Sequence, residues 1–443
     1  MSMLSPALRT EVRENLKLAW PLIVAQLAAV GMGAIDTVFA GRVGPHALAA
    51  VAVGVNLNVV FYVPVLGLMM AVSALVANQR GAGRTAPEIG AFLRRTRGFA
   101  LLLGLLWFAG FNLVAAPALR ALKLAPETTA LAIDFCRCLS FSAFGFSLFF
   151  ALRFGAEGAG RTRPILIVGL VGLAVNTLID WLLVFGHAGA PRLGALGCGV
   201  ATSLSTWLMA ALLWLLYHRS PTLRVYLVRD GEAAAGIAEL LRLGGPIGAI
   251  MLAEAGLFVT TAMLMARFGD RMIAAYQVAI NFASLVFMIP IGIAQATTVR
   301  VGLAAGAGER AQTRYRGRVG MLLGLLNAAS NATIMLLFAP LIVAVFTRDA
   351  SIAGPARRFL WLAAAFQFFD GLQSTANGAL RGIKDTRLPM AITLFAYWGV
   401  GMPVAVGLAF AAAWGPDGLW WGLTAGLGIA ALGLPARFNR RTA

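Results

Sequence analysis

Five acids interrupt long apolar stretches of this sequence: Asp36, Asp134, Asp180, Glu254 and Asp370. A carboxyl inside a membrane-spanning helix costs about 2.5–3.5 kcal/mol on insertion scales, so each one calls for a reason. Such a group can take up a proton, bind sodium, or neutralise a cationic substrate. The three compete for one charge, and an acid withdrawn from water favours its neutral form. That competition is the chemistry of exchange, provided the carboxyl is exposed to each side of the membrane in turn. The bland alternative is a buried polar tie between helices.

Depth sorts these acids. Counted from Arg242 and Arg358 at about 1.5 Å per residue, Glu254 and Asp370 each lie roughly 18 Å into a helix, near mid-bilayer. They enter from opposite faces and can converge at one depth. Asp36, counted from Lys17, and Asp180, counted from Arg163, both lie about 25–28 Å from one side. Asn176 stands one turn before Asp180 on the same helix face, where its carboxamide can donate to the acid. Asp36, Asp180, Asn176, Glu254 and Asp370 are therefore the candidate cation- or proton-binding residues. No metal is expected beyond a sodium ion at Glu254 and Asp370. Asp134, with Arg137 three residues on, reads as an ion pair on a helix surface.

Aromatic faces attract cations and methionine adapts to irregular shapes. That makes Phe258, Phe287, Met288, Phe366 and Phe369 candidates for contact with a substrate, although ordinary packing accounts for most residues of this kind.

The elements that must position these groups are membrane helices. Of 443 residues, 60% are hydrophobic and 12% charged, with a mean hydropathy of +0.81. Soluble domains carry about 25% charged residues, so a water-soluble enzyme is excluded. The apolar runs, from 16–41 through 128–152, 319–346, 359–380 and 388–413 to 418–436, allow about twelve spans. They are continuous rather than alternating, which favours helices over a strand barrel. The expected fold is all-α and polytopic.

The net charge of +18 would suggest nucleic acid in a soluble chain. Here Lys and Arg concentrate roughly threefold in alternate inter-span segments, as the positive-inside rule requires, which places both termini in the cytoplasm and leaves no nucleic-acid partner. Cys136, Cys138 and Cys198 are odd in number and lack framework spacing, against a disulfide scaffold or a zinc site. Neither a metal-ligand cluster nor a nucleophile–base pair stands out, so no catalysis and no cofactor are expected.

The chain also repeats. Shifted so that Pro21 falls on Pro246, it sets Gly44 on Gly269, Val53 on Val278, Asn56 on Asn281, Pro164 on Pro389 and Pro191 on Pro416. Six spans per half is an even number, so the halves are parallel repeats, with a site expected between them. The organisation expected is two pseudo-symmetric six-helix lobes, 1–217 and 243–443, joined by a cytoplasmic linker, 218–242. The acids are not copies: Asp36 falls on Thr261 and Glu254 on Ala29.

Certain stretches resemble a known family. Pro21 followed by Ile35-Asp36-Thr37 and Ala40-Gly41 is similar to the first helix of the multidrug and toxic compound extrusion (MATE) family, in its NorM-like bacterial branch. So are Ala274-Ala275-Tyr276-Gln277-Val278-Ala279-Ile280-Asn281-Phe282, Arg300-Val301-Gly302, and Gly378-Ala379-Leu380-Arg381-Gly382 followed by Lys384-Asp385-Thr386. The resemblance covers essentially the whole chain. It implies that Glu254 and Asp370 are second-lobe acids tied to cation binding and Asp36 the first-lobe acid. Asn176 and Asp180 would form the polar network beside Asp36, with Thr202 a further member. Tyr276, Gln277 and Asn281 join the substrate-binding candidates, Tyr276 standing where many relatives would have histidine.

The function implied is a multidrug efflux antiporter in the bacterial inner membrane. It would export amphipathic, often cationic compounds in exchange for Na+ or H+ by alternating access. Its partners would be small-molecule drugs or organic cations and membrane lipid, and the chain would act as a monomer. The competing implication is a flippase for lipid-linked precursors on a related two-lobed fold; such proteins are usually basic in the central cavity.

Overall fold

The computed structural model describes residues 6–228, 233 and 235–443, and it contains no strand among them. The helices are α1 (Pro6–Val43), α2 (Pro45–Gly81), α3 (Ala86–Ala121), α4 (Pro126–Ser140), α5 (Ser142–Gly158), α6 (Arg163–Phe185), α7 (Ala195–Arg219) and α8 (Pro221–Arg224). They continue with α9 (Ile237–Ala266), α10 (Asp270–Gly306), α11 (Arg310–Leu337), α12 (Ala339–Phe346), α13 (Ala350–Gly382), α14 (Arg387–Leu394), α15 (Met402–Val406) and α16 (Pro416–Arg441). Wider π-helical turns, Phe395–Gly401 and Gly407–Ala411, flank α15.

Among the described residues, 11 helical segments are long and apolar enough to cross a membrane. The chain is a multi-pass membrane protein. The expected run 359–380 is absent from that set, although α13, which contains it, has 33 residues. Gln367, Asp370, Gln373, Ser374, Thr375 and Asn377 load this helix with polar groups. It tolerates them because α10, α11 and α16 pack around it, and polar residues in a membrane are kept on such interior helices.

Helix ends depart from the apolar runs because helices continue into the basic flanks. The span expected at 128–152 extends through α4 and α5 to Gly158. Arg153, the residue just past the end of the expected run 128–152, lies within α5 and is 5% exposed. Its Nη2 donates 2.8 Å to Gln26 Oε1, and Glu157 one turn on supplies an opposing charge. Of the expected linker 218–242, residues 229–232 and 234 lie outside the described residues.

By packing, the chain forms two units. One is Val24–Gly248; the other joins the described residues up to Ile23 with Ala249–Ala443. Each division falls inside a helix, two residues beyond Pro21 in α1 and two beyond Pro246 in α9. Proline removes a helical hydrogen bond and crowds the preceding turn, so both helices change allegiance where their backbone is weakest.

Within Val24–Gly248, α5 packs against α2, α3 and α7. The α5–α7 approach is set by Gly145, where a Cβ would collide with Thr206 and the Trp207 backbone. Tyr62, Trp107, Phe146 and Phe150 form an edge-on and stacked aromatic group, and Trp107 Nε1 donates 3.0 Å to Asn58 Oδ1. In the other unit α13 is central. Gly378 lets it lie against α10, since a Cβ there would overlap the Ala294 carbonyl. Asp349 caps α13 by accepting from the Ser351 backbone N–H at 2.8 Å, and hydrogen bonding by Ser351 holds its carboxyl below the usual range. The polar start of α1 is tied into this unit as well: buried Glu11 pairs with Arg300 and Arg316, and Asn15 Nδ2 donates 3.2 Å to Thr297.

Candidate functional site

The first set of acids lies in the unit Val24–Gly248. Asn176 and Asp180 share one face of α6, and their spacing lets Asn176 Nδ2 donate 2.6 Å to Asp180 Oδ2. The same nitrogen donates 2.8 Å to Asp36 Oδ1 on α1. Thr202 on α7 donates 2.9 Å to Asp36 Oδ2, and the Cys198 thiol donates to the Asp36 backbone carbonyl at 3.7 Å. One carboxamide therefore holds two carboxyls from two helices, and a third helix closes the group. Asp36 is 8% exposed and the other two are fully buried. Like charges this close repel, and a single added proton or cation relieves the repulsion. Asp180 Oδ1 and Asn176 Oδ1 have no hydrogen-bond partner among the described residues, which leaves acceptors for it.

The second set lies in the other unit. Glu254 is half-buried on α9 and Asp370 is 2% exposed on α13; the two act on each other electrostatically. Both also act on Tyr397, whose hydroxyl accepts from Gln373 Nε2 at 2.6 Å. Asp370 Oδ1, Gln373 Oε1 and both polar atoms of the Gln367 side chain are buried without a partner among the described residues. These oxygens suit a proton or a hard monovalent cation. No group of three or more His, Cys, Asp or Glu fit to hold a metal occurs among the described residues.

Gln373 and Tyr397 were not singled out by sequence. Gln373 had a usable signal, since it follows Asp370 by three residues and shares its face. Tyr397 had none: the π-helical turn of Phe395–Gly401 shifts the register, and such turns recur at functional sites.

The substrate candidates all fall in the second unit and divide by exposure. Tyr276 and Phe366 are core residues, packed on Trp420 with ring centroids 5.5 and 6.3 Å away. The Tyr276 hydroxyl donates to the Phe258 carbonyl at 3.4 Å. Gln277 and Asn281, one turn apart on α10, are exposed, while Phe258, Phe287, Met288 and Phe369 are half-buried. The open face of α10 thus carries the amides, and the aromatic pair behind it braces that helix. Asp134 pairs with Arg137 at 3.0 Å on an exposed helix face, as its spacing predicts.

A family model described as MatE matches residues 21–182 and again 246–406, so the two stretches start at the two prolines near which the units divide. The multidrug resistance protein PmpM of Pseudomonas aeruginosa is 38% identical, over 98% of this chain and 92% of its own. The probable multidrug resistance protein NorM of Xanthomonas campestris is 39% identical, over 98% of this chain and 95% of its own. The crystal structure of the eukaryotic MATE transporter AtDTX14 has the same fold, with a TM-score of 0.86 at 20% identity, covering 98% of this chain and all of that one. With a repeated family match over most of its length and near-full-length relatives, this chain belongs to the MatE family.

Proposed function

We propose that the protein is a multidrug efflux antiporter that exports amphipathic, often cationic compounds in exchange for Na+ or H+. The observation that carries this is the presence of two separate groups of wholly or partly buried carboxyls, one in each unit, each with unfilled oxygen acceptors among the described residues. A carboxyl that is occupied in turn by a driving cation and a cationic substrate couples their movements. Two relatives named as multidrug resistance proteins support the substrate class.

Alternation needs two discrete states, and a driving ion shifts their balance only by binding one of them better. Pro21 and Pro246 supply the flexible points in α1 and α9. The six-helix halves 1–217 and 243–443, joined by 218–242, are the moving bodies in this proposal, apart from the starts of α1 and α9. The termini lie in the cytoplasm of a bacterial cell, on the strength of the charge bias.

Purified protein in liposomes, loaded with a fluorescent organic cation, tests the proposal when sodium and pH gradients are imposed separately. Efflux that follows one gradient is the expected result and identifies the ion. Efflux indifferent to both overturns antiport. Movement of a lipid-linked headgroup in place of the dye would establish the flippase alternative, which the acidic character of the second group disfavours.

A further inference from the structure

A cavity of about 530 Å³ opens in the unit containing Ala249–Ala443, at the end where α9 turns into α10. Its walls include Phe268 and Met272 from that turn, Arg358 and Phe359 from the start of α13, and Trp414 and Asp417 from the start of α16. The volume falls within the roughly 300–1,000 Å³ usual for small-molecule sites. Along α13, Arg358 stands roughly 18 Å from Asp370 at about 1.5 Å per residue, so this is not the acid site described above.

The walls are held in place before any ligand arrives. Phe268 stacks on Phe410 with centroids 5.2 Å apart and planes 15° apart. Phe359 packs on Trp420 at 6.2 Å. Trp414 is exposed and lines the cavity.

The charges differ sharply in environment. Arg358 and Asp417 form an ion pair in which the Arg358 side chain is 68% exposed and the Asp417 side chain 13%. The exposed guanidinium keeps most of its hydration in such a pair and returns to water readily. The carboxylate stays behind, because only 13% of the Asp417 side chain is exposed. Displacing Arg358 therefore leaves a shielded negative charge in a cavity that an indole also lines, the combination that selects a cation.

We infer that this cavity is a second binding site, for a flat organic cation whose charge takes the place of the Arg358 guanidinium at Asp417 while its rings lie against Trp414. The site deepens the transport reading above. Its binding is measured without any gradient, so failure of one is distinguishable from failure of the other.

The test is ethidium binding to the purified full-length chain in lipid nanodiscs, followed by fluorescence anisotropy. It is run on the native chain and on a Glu254→Gln, Asp370→Asn background that disables the deep acids. Binding should persist in that background. Asp417→Asn should weaken it at least tenfold, and Trp414→Ala severalfold. Arg358→Gln, a change at an exposed side chain, should tighten it severalfold by removing the competitor. Loss of all binding in the background, an unchanged affinity in Asp417→Asn, or weaker binding in Arg358→Gln would each overturn the site. A native chain that binds ethidium yet shows no gradient-driven efflux would overturn the transport reading alone.

Discussion

Asn176 on α6 donates 2.8 Å to Asp36 on α1, so a neutral side chain fixes the distance between two helices and an acid at once. A hydrogen bond to a charged group contributes about 1.5–3 kcal/mol. Asn176→Leu keeps the volume near its native value and removes both donated bonds. The expected outcome is a tenfold or greater fall in gradient-driven dye efflux from proteoliposomes, with insertion and yield unchanged. Native efflux in Asn176→Leu would make the bond dispensable.

Glu254→Gln and Asp370→Asn each remove one ionisable group while preserving shape. Each should abolish coupled efflux in the same assay. Membrane insertion, measured by protease protection, should be native. Near-normal transport in both variants would remove these residues from the coupling machinery.

Tyr397→Phe removes a hydroxyl on which Asp370 acts electrostatically and frees Gln373 Nε2, to which it is bonded at 2.6 Å. Efflux should slow by about tenfold, in line with the roughly 1–3 kcal/mol for leaving a buried polar group unsatisfied. Steepness with respect to the driving ion should change as well; an altered rate at unchanged ion dependence would assign Tyr397 to packing alone.

The positions of the buried acids were legible in the sequence because a charge in an apolar run calls for a partner, whether a ligand or a polar tie between helices. Asn176 was legible because the spacing to Asp180 repeats a helical turn. Arg153 was misplaced, since a lone arginine beside a glycine-rich stretch reads as a loop until its partners Gln26 and Glu157, one from a distant helix, are seen. Tyr397 was invisible because the π-helical turn breaks the periodicity on which face assignments depend. Tyr276 and Phe366 show the reverse problem: aromatic type says nothing about whether a ring faces a ligand or Trp420.

Glu11→Gln strikes at the start of α1, where the carboxylate meets Arg300 and Arg316 with 7% of its side chain exposed. Removing Glu11 takes the paired carboxylate from both guanidinium groups and leaves Glu309 as an acid acting on Arg316. The melting temperature should fall, by an amount equivalent to about 1–3 kcal/mol. The loss should be nearly independent of salt, because mostly buried pairs are weakly screened. A drop that vanishes in high salt would reclassify the pair as a surface contact.

The division of α1 beyond Pro21 also governs the order in which the protein can be built. Val24–Gly248 leaves the ribosome as one uninterrupted stretch, but the other unit has its first strip made at the outset and the remainder last. At about 5–20 residues per second, the wait between Ile23 and Ala249 is roughly 10–45 s. Throughout it, Glu11 and Asn15 have neither Arg300 nor Thr297 to meet. A polypeptide released before α10 therefore carries a helix whose opening turns lack the residues they pair with in the finished protein.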